Sequence, residues 1–149
     1  MKVLLIRHAQ AIDLEDHDDL TDDARWLTAK GRAVARQVGE RLREDEIAPA
    51  VIVSSPLVRA VQTAELVARG LKFQGVVEVV PALAPDGSVR RAAAEIEERG
   101  ALVAAVGHEP AISALAAYLV GRGVAAFRKG QAIVIDDGRV VYTLDPESI

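Results

Sequence analysis

Short β-branched apolar runs alternate along this chain with longer stretches of helical periodicity, and that alternation predicts a βαβ architecture with a mostly parallel sheet. Strands are expected at Lys2 to Ile6, Ala50 to Ser54, Val76 to Val80 and Ala101 to Val106. Each run is nearly continuous in apolar residues, as a strand covered on both faces would be. Thr28 can cap a helix from Ala29 to Glu44, whose Val34, Val38 and Leu42 recur at four-residue spacing. A second helix is expected to open with Ser55 as N-cap and Pro56 at its first position, and to run to about Arg69 with Gly70 ending it. Ser88 and Gly100 bracket a third helix, and a fourth runs from Pro110 to Gly121 or Gly123. Gln131 to Asp136 and Arg139 to Leu144 flank Asp137-Gly138, a hairpin signal that adds an antiparallel element at the end of the chain. Gln10 to Trp26 and Pro81 to Gly87 fit neither pattern and read as loops over the strand ends.

Composition narrows the class. The chain has 149 residues, half of them hydrophobic, which suits one domain over residues 1–149 with a substantial core. A formal charge of −4 and a pI near 5.4 argue against nucleic acid or an anionic membrane as partner, since either needs a broad basic field. Any basic site must be local. Without cysteine there is no disulfide, thiolate metal site or cysteine nucleophile, and a reducing cytoplasm fits. The apolar run behind Lys2 is too short for a signal-peptide core, and the apolar helix near Ala111 to Val120 is too short to span a bilayer, so a soluble cytoplasmic protein is expected.

The chemistry gathers where strands end. Arg7-His8 follows Val3-Leu4-Leu5-Ile6, and His108 follows the fourth strand in Gly107-His108-Glu109-Pro110. In open α/β sheets the crevice at the carboxyl ends of the strands is the usual ligand site. Arg59 falls in the first turn of the second helix, about 200° around from Val61 and away from a stripe of Leu57, Val61, Ala64 and Ala68. Alone, each of these residues has an ordinary structural or solvated role. Together they would repel one another unless an anion joined them, and phosphate suits guanidinium forks and helix-start N–H groups. The acidic loop Asp13, Glu15, Asp16, His17, Asp18, Asp19, Asp22 and Asp23 lacks the glycine and glutamate spacing of a calcium loop and reads as solvated. Metal binding by His8, His17 and His108 lacks a paired-histidine motif, and no glycine-rich turn for a dinucleotide or P-loop occurs.

Four segments stand out in order: Leu5-Ile6-Arg7-His8-Ala9, Asp22-Asp23-Ala24-Arg25-Trp26-Leu27-Thr28-Ala29-Lys30-Gly31, Ser54-Ser55-Pro56-Leu57-Val58-Arg59-Ala60-Val61-Gln62-Thr63-Ala64, and Val106-Gly107-His108-Glu109-Pro110. Together they resemble the histidine phosphatase superfamily, and within it the short bacterial phosphohistidine phosphatases of the SixA type. Ala82-Leu83-Ala84-Pro85-Asp86-Gly87 and the short length, which leaves no room for helical cap insertions, point to the subgroup. Ala9 departs from the superfamily's usual glycine, and its methyl is expected to narrow the entrance without removing a functional atom.

The resemblance implies a three-layer α/β/α sandwich of the phosphoglycerate mutase-like kind, with a mostly parallel sheet and a C-terminal antiparallel hairpin. It implies that neutral His8 attacks phosphorus in line and forms a phosphohistidine that water then hydrolyses. Arg7 and Arg59 would hold the phosphoryl oxygens, His108 would stabilise their charge, and Arg25 and Asp22 would be outer substrate contacts. The arginines are expected to depress the pKa of His8. No metal or other cofactor is required. The partner would be a phosphohistidine-bearing signalling protein or a small phosphorylated molecule, with inorganic phosphate as product. A broader phosphomonoesterase would need a carboxylic acid over the leaving oxygen, for which Asp22, Asp86 and Glu109 are the candidates. A noncatalytic phosphate-binding or interaction module that kept the fold is the alternative of another class, and retention of both His8 and His108 argues against it.

Overall fold

The computed structural model describes residues 1–149. Its elements are β1 (Lys2–Arg7), α1 (Ala29–Glu44), β2 (Val51–Ser54), α2 (Val58–Leu71), β3 (Glu78–Val79), α3 (Val89–Glu98), β4 (Val103–Gly107), α4 (Ala111–Val120), β5 (Ala132–Asp136) and β6 (Arg139–Leu144). Single 3-10 turns occur at Asp22–Ala24, Pro81–Leu83 and Pro146–Ser148. The strands form a six-stranded sheet in the order β3-β2-β4-β1-β5-β6. β1, β2, β3 and β4 pair in parallel, while β5 joins β1 and β6 antiparallel. The sheet is mixed, as the terminal hairpin predicts.

Alternate residues of each strand feed two cores. Leu4, Ile6, Ile52, Ala104, Val106 and Val134 face one side with Val38 and Leu42 of α1 and Ala64 and Val67 of α2. Val3, Leu5, Val53, Val103, Ala105 and Ile133 face the other with Ile96 of α3 and Ile112 and Leu115 of α4. That burial on both faces explains the uninterrupted apolar runs of β1 and β4 and gives a three-layer α/β/α sandwich.

α1 has the expected bounds, with the Thr28 hydroxyl accepting from the Gly31 N–H. α2 does not. It begins at Val58, because Ser55 Oγ accepts the Leu57 N–H at 3.2 Å and meets His108, so the serine is committed to the strand end and not to a standard cap. α2 also runs through Gly70 and ends with Lys72 in the left-handed conformation. Gly70 is spent on helix packing: a Cβ there would run into the Arg36 carbonyl of α1, and one on Gly39 into the Val67 carbonyl of α2. The expected strand at Val76 to Val80 contracts to Glu78–Val79, which pairs only with Val53 and Ser54 at the sheet edge, and Val76 is exposed. The hairpin turn is as read, with Asp137 and Gly138 both at positive φ.

Candidate active site

Parallel pairing of β1 with β4, and of β4 with β2, sets three strand ends side by side. Arg7 is in register with Gly107, the His8 N–H donates to the Gly107 carbonyl at 3.0 Å, and the Ser55 N–H donates to the Val106 carbonyl at 3.0 Å. His8, His108 and Ser55 are therefore brought together by backbone ladders. The two imidazole rings lie 5.1 Å apart between centroids. His8, His108 and Arg59 are all buried. Burial of Arg59 departs from the solvated role ordinary for a lone helical arginine, and its face of α2 is turned inward because the helix packs Ala60, Ala64 and Val67 into the core beside it.

The polar partners define which atoms are free. His8 Nδ1 lies 2.7 Å from the Ala9 carbonyl, which can only accept, so Nδ1 carries the hydrogen and Nε2 keeps its lone pair. His108 Nε2 lies 2.7 Å from Ser55 Oγ. With the hydroxyl donating to Nε2, Ser55 uses its hydrogen while accepting from Leu57, and the hydrogen of His108 falls on Nδ1. Nδ1 of His108 and Nε of both Arg7 and Arg59 are buried without a partner in the chain. Buried donors are rarely left unpaired, so these three nitrogens, grouped on two arginines and a histidine, form a set that an anion could satisfy.

Electrostatics keep both histidines neutral. The His8 pKa is lowered to about 4, first by burial, then by the charges of Arg59, Arg7 and Arg25, against an opposing hydrogen bond to Ala9. Burial leads and the arginines follow, the reverse of the emphasis drawn from sequence. His108 is lowered to about 3 by burial, by His8 and by Arg59 and Arg25, partly offset by Asp22. The apolar wall of Leu83, Ala111, Ile112 and Leu115 beside His108 supplies the desolvation.

Other residues hold the frame. Arg7 donates to the Phe127 carbonyl at 2.8 Å, and Glu109 accepts from the Phe127 N–H and the Ser113 hydroxyl, both at 2.6 Å. Glu109 thus fixes the segment that fixes Arg7. Thr63 accepts from the Ala9 N–H and donates to the Arg59 carbonyl, tying the loop after β1 to α2. Sequence offers Ser55 only as a helix cap and gives Thr63 and Phe127 no role. The first two lie within the Ser54 to Ala64 motif, whereas Phe127 acts through its carbonyl, which no side-chain pattern reveals. Ala9 is wholly buried in the core, so its methyl packs against neighbours and does not narrow an entrance. Arg25 and Asp22 both reach the site, joined to each other at 3.0 Å, with Asp22 also 3.2 Å from Arg59. Asp86 is exposed on its loop. His17 stacks edge-on against Trp26 instead of meeting the other histidines, and no group of His, Asp or Glu side chains is arranged to hold a metal ion.

Residues 3–84 match the model of the histidine phosphatase superfamily, branch 1. The chain belongs to that superfamily. Over 99% of each chain it superposes on the protein histidine phosphatase SixA complexed with tungstate, at a TM-score of 0.88 and 26% identity. A phosphoserine phosphatase from Entamoeba histolytica, in complex with phosphoserine, shares the fold at a TM-score of 0.73 and 13% identity, over 98% of each chain. The mitochondrial serine/threonine-protein phosphatase Pgam5 of Drosophila grimshawi is 35% identical over 71 residues, which are 48% of this chain and 23% of that protein. The chain therefore matches about a quarter of the length of such curated relatives. No helix is long and apolar enough to cross a membrane.

Proposed function

We propose that this protein is a phosphatase that uses His8 as nucleophile and acts on phosphohistidine in a signalling protein. The observation that carries the reading is the pairing of a lone pair on His8 Nε2 with three buried, unpartnered donors on Arg7, Arg59 and His108. Likeness to SixA, described as a protein histidine phosphatase, supports the substrate class.

In the first step His8 Nε2 bonds to phosphorus while the bond from phosphorus to the leaving nitrogen breaks, and the departing ring leaves as neutral imidazole because one of its nitrogens carries a proton taken from solvent. Water then attacks phosphorus, the His8 N–P bond breaks, and inorganic phosphate is released. Arg7, Arg59 and His108 hold the equatorial oxygens, where fixed donors act most strongly in the transition state. Arg25 is an outer contact. A neutral Nε2 is available at ordinary pH because the site suppresses protonation of His8.

The carboxylates favour this substrate class over phosphomonoesters with poor leaving groups. Asp22 is held ionised by two arginines, Glu109 is occupied by Phe127 and Ser113, and Asp86 is exposed. None is poised to protonate an alkoxide, whereas imidazole leaves readily, its conjugate acid having a pKa near ~6.5. Rapid-quench labelling of wild type should yield an acid-labile, base-stable phosphoenzyme, and His8→Ala should abolish both label and turnover while keeping its fold. Label on another residue, or near-normal turnover of His8→Ala, refutes the mechanism. Phosphohistidine and activated aryl phosphates should be cleaved far faster than alkyl phosphates, and efficient alkyl phosphate turnover would move the protein to the phosphomonoesterase class.

A further inference from the structure

Asp22 makes contacts that no step above uses. Its main-chain carbonyl accepts from Arg59 Nη1 at 2.8 Å, its Oδ2 lies 3.2 Å from Arg59 Nη2, and its Oδ1 lies 3.0 Å from Arg25 Nε. Arg25 is fixed in turn by donating from Nη1 to the Ile12 carbonyl at 3.0 Å. One residue therefore accepts from both terminal nitrogens of Arg59, each of which keeps a second N–H, while the buried Nε has no partner in the chain. The Arg59 side chain is 6% exposed and that of Asp22 58% exposed. The aspartate keeps most of its hydration while supplying the negative charge that the buried guanidinium needs.

Charge counting gives the consequence. Arg7, Arg25 and Arg59 bring three positive charges toward a pair of neutral histidines, and Asp22 reduces the sum to two. A phosphoryl group in its dianionic form carries the matching charge. We propose that Asp22 is a positioning and specificity-determining residue that holds Arg59 by its terminal nitrogens, leaves Arg59 Nε free for the phosphoryl group, and sets the site's charge to match a dianion. On this assignment it is neither the general acid nor a direct substrate ligand. The site then admits a single phosphoryl group, releases phosphate, and disfavours anions of higher charge. The inference rests on the anion-site reading above but not on phosphohistidine being the substrate.

The test is calorimetric titration of wild type, Asp22→Asn and Asp22→Glu with inorganic phosphate and with pyrophosphate. Asp22→Asn should tighten phosphate about three- to tenfold and pyrophosphate by a larger factor, and the gain should shrink as salt screens the charges. Asp22→Glu, which keeps the charge, should leave the ratio of the two affinities within about twofold of wild type. Equal or weaker binding of both anions to a folded Asp22→Asn overturns the proposal, as does an equal gain for both. If the asparagine N–H groups crowd the guanidiniums and the variant does not fold, Asp22→Ser removes the charge with a smaller side chain and is judged by the same two affinities. Wild type that binds neither phosphate nor tungstate refutes the anion site itself, a failure distinct from loss of discrimination in the variants.

Discussion

His8 and His108 are buried imidazoles whose pKa values of about 4 and about 3 lie below the 6.5 of a free histidine. Above pH 6.5 both are neutral in the folded and unfolded chain and contribute no pH dependence. Between 6.5 and the folded values the unfolded chain binds more protons, so stability falls as pH falls through that window and levels off below it. At pH 5 the loss is on the order of 1–2 kcal/mol per histidine. Urea unfolding at pH 7 and pH 5 should therefore show a smaller acid loss in His8→Ala than in wild type, and NMR titration should put both imidazole midpoints well below 6.5. A midpoint at 6.5 for either would mean that its ring is not desolvated as described. Arg59 supplies the other residue-scale prediction. Removing one donor to a developing anion costs about 10²–10³ in rate, so Arg59→Ala should lose that much turnover. Arg59→Lys should recover little, because a single ammonium cannot hold Asp22 on one edge and offer an N–H on another. Wild-type turnover in the lysine variant would remove Arg59 from the site.

The elements deliver these residues through close packing of α1 on α2. Gly39 and Gly70 let the two helix backbones approach at a point where a Cβ would meet a carbonyl of the facing helix. Gly70→Ala should destabilise by roughly 1–3 kcal/mol, the usual cost of forcing atoms into a filled core, despite alanine's better helix propensity. The sign separates two roles: a glycine that merely ended the helix would give little loss. Displacement of α2 would carry Arg59 and Thr63 with it, so turnover should fall by more than the unfolded fraction accounts for. A denaturation midpoint at or above wild type in Gly70→Ala would contradict the close approach.

At the scale of the molecule, the surface beside the site is not uniform. The chain carries net negative charge, and the acidic residues Asp13, Glu15, Asp16, Asp18 and Asp19 are exposed on the loop before α1. Next to Gln10 a groove of about 530 Å³ is lined by Lys30, Arg128 and Lys129 with Asp145 and Glu147. Arg128 is paired with both acids, leaving Lys30 and Lys129 as its free cations. The groove adjoins the site because the Gly130 N–H, one residue past Lys129, donates to the carbonyls of Arg7 and His8. On the phosphohistidine-protein reading proposed above, a phosphoprotein should lie partly in it, whereas a small phosphate ester should not. Changing Lys30 and Lys129 together to glutamate should lower kcat/KM for a phosphohistidine protein about tenfold, more at low salt, and leave an aryl phosphate unaffected. Equal effects on both substrates would show that the lysines act on the phosphate site and not on a docked protein.

The amino-acid order alone indicated a mostly parallel sheet with a terminal hairpin, four covering helices and the strand ends where chemistry gathers, because burial on both faces imprints continuous apolar runs and helical faces imprint a 3.6-residue period, while the order of the strands and the shortness of β3 were decided by tertiary pairing. It also set Arg7, His8 and His108 at strand ends and Arg59 in the first turn of a helix, as the elements have them. Where a local signal had a second use, sequence misread it: Ser55 is held by His108, Gly70 serves packing instead of termination, and the Ala9 methyl belongs to the core. A single chain position carries no label saying which of its partners will claim it. The free edge of Nε on Arg59, the tautomers of the two histidines and the charge supplied by Asp22 were decided only when segments as distant as residues 22 and 59, or 55 and 108, closed on one another. Hydrogen bonds of that range are set by tertiary packing, which the order of residues encodes but does not display.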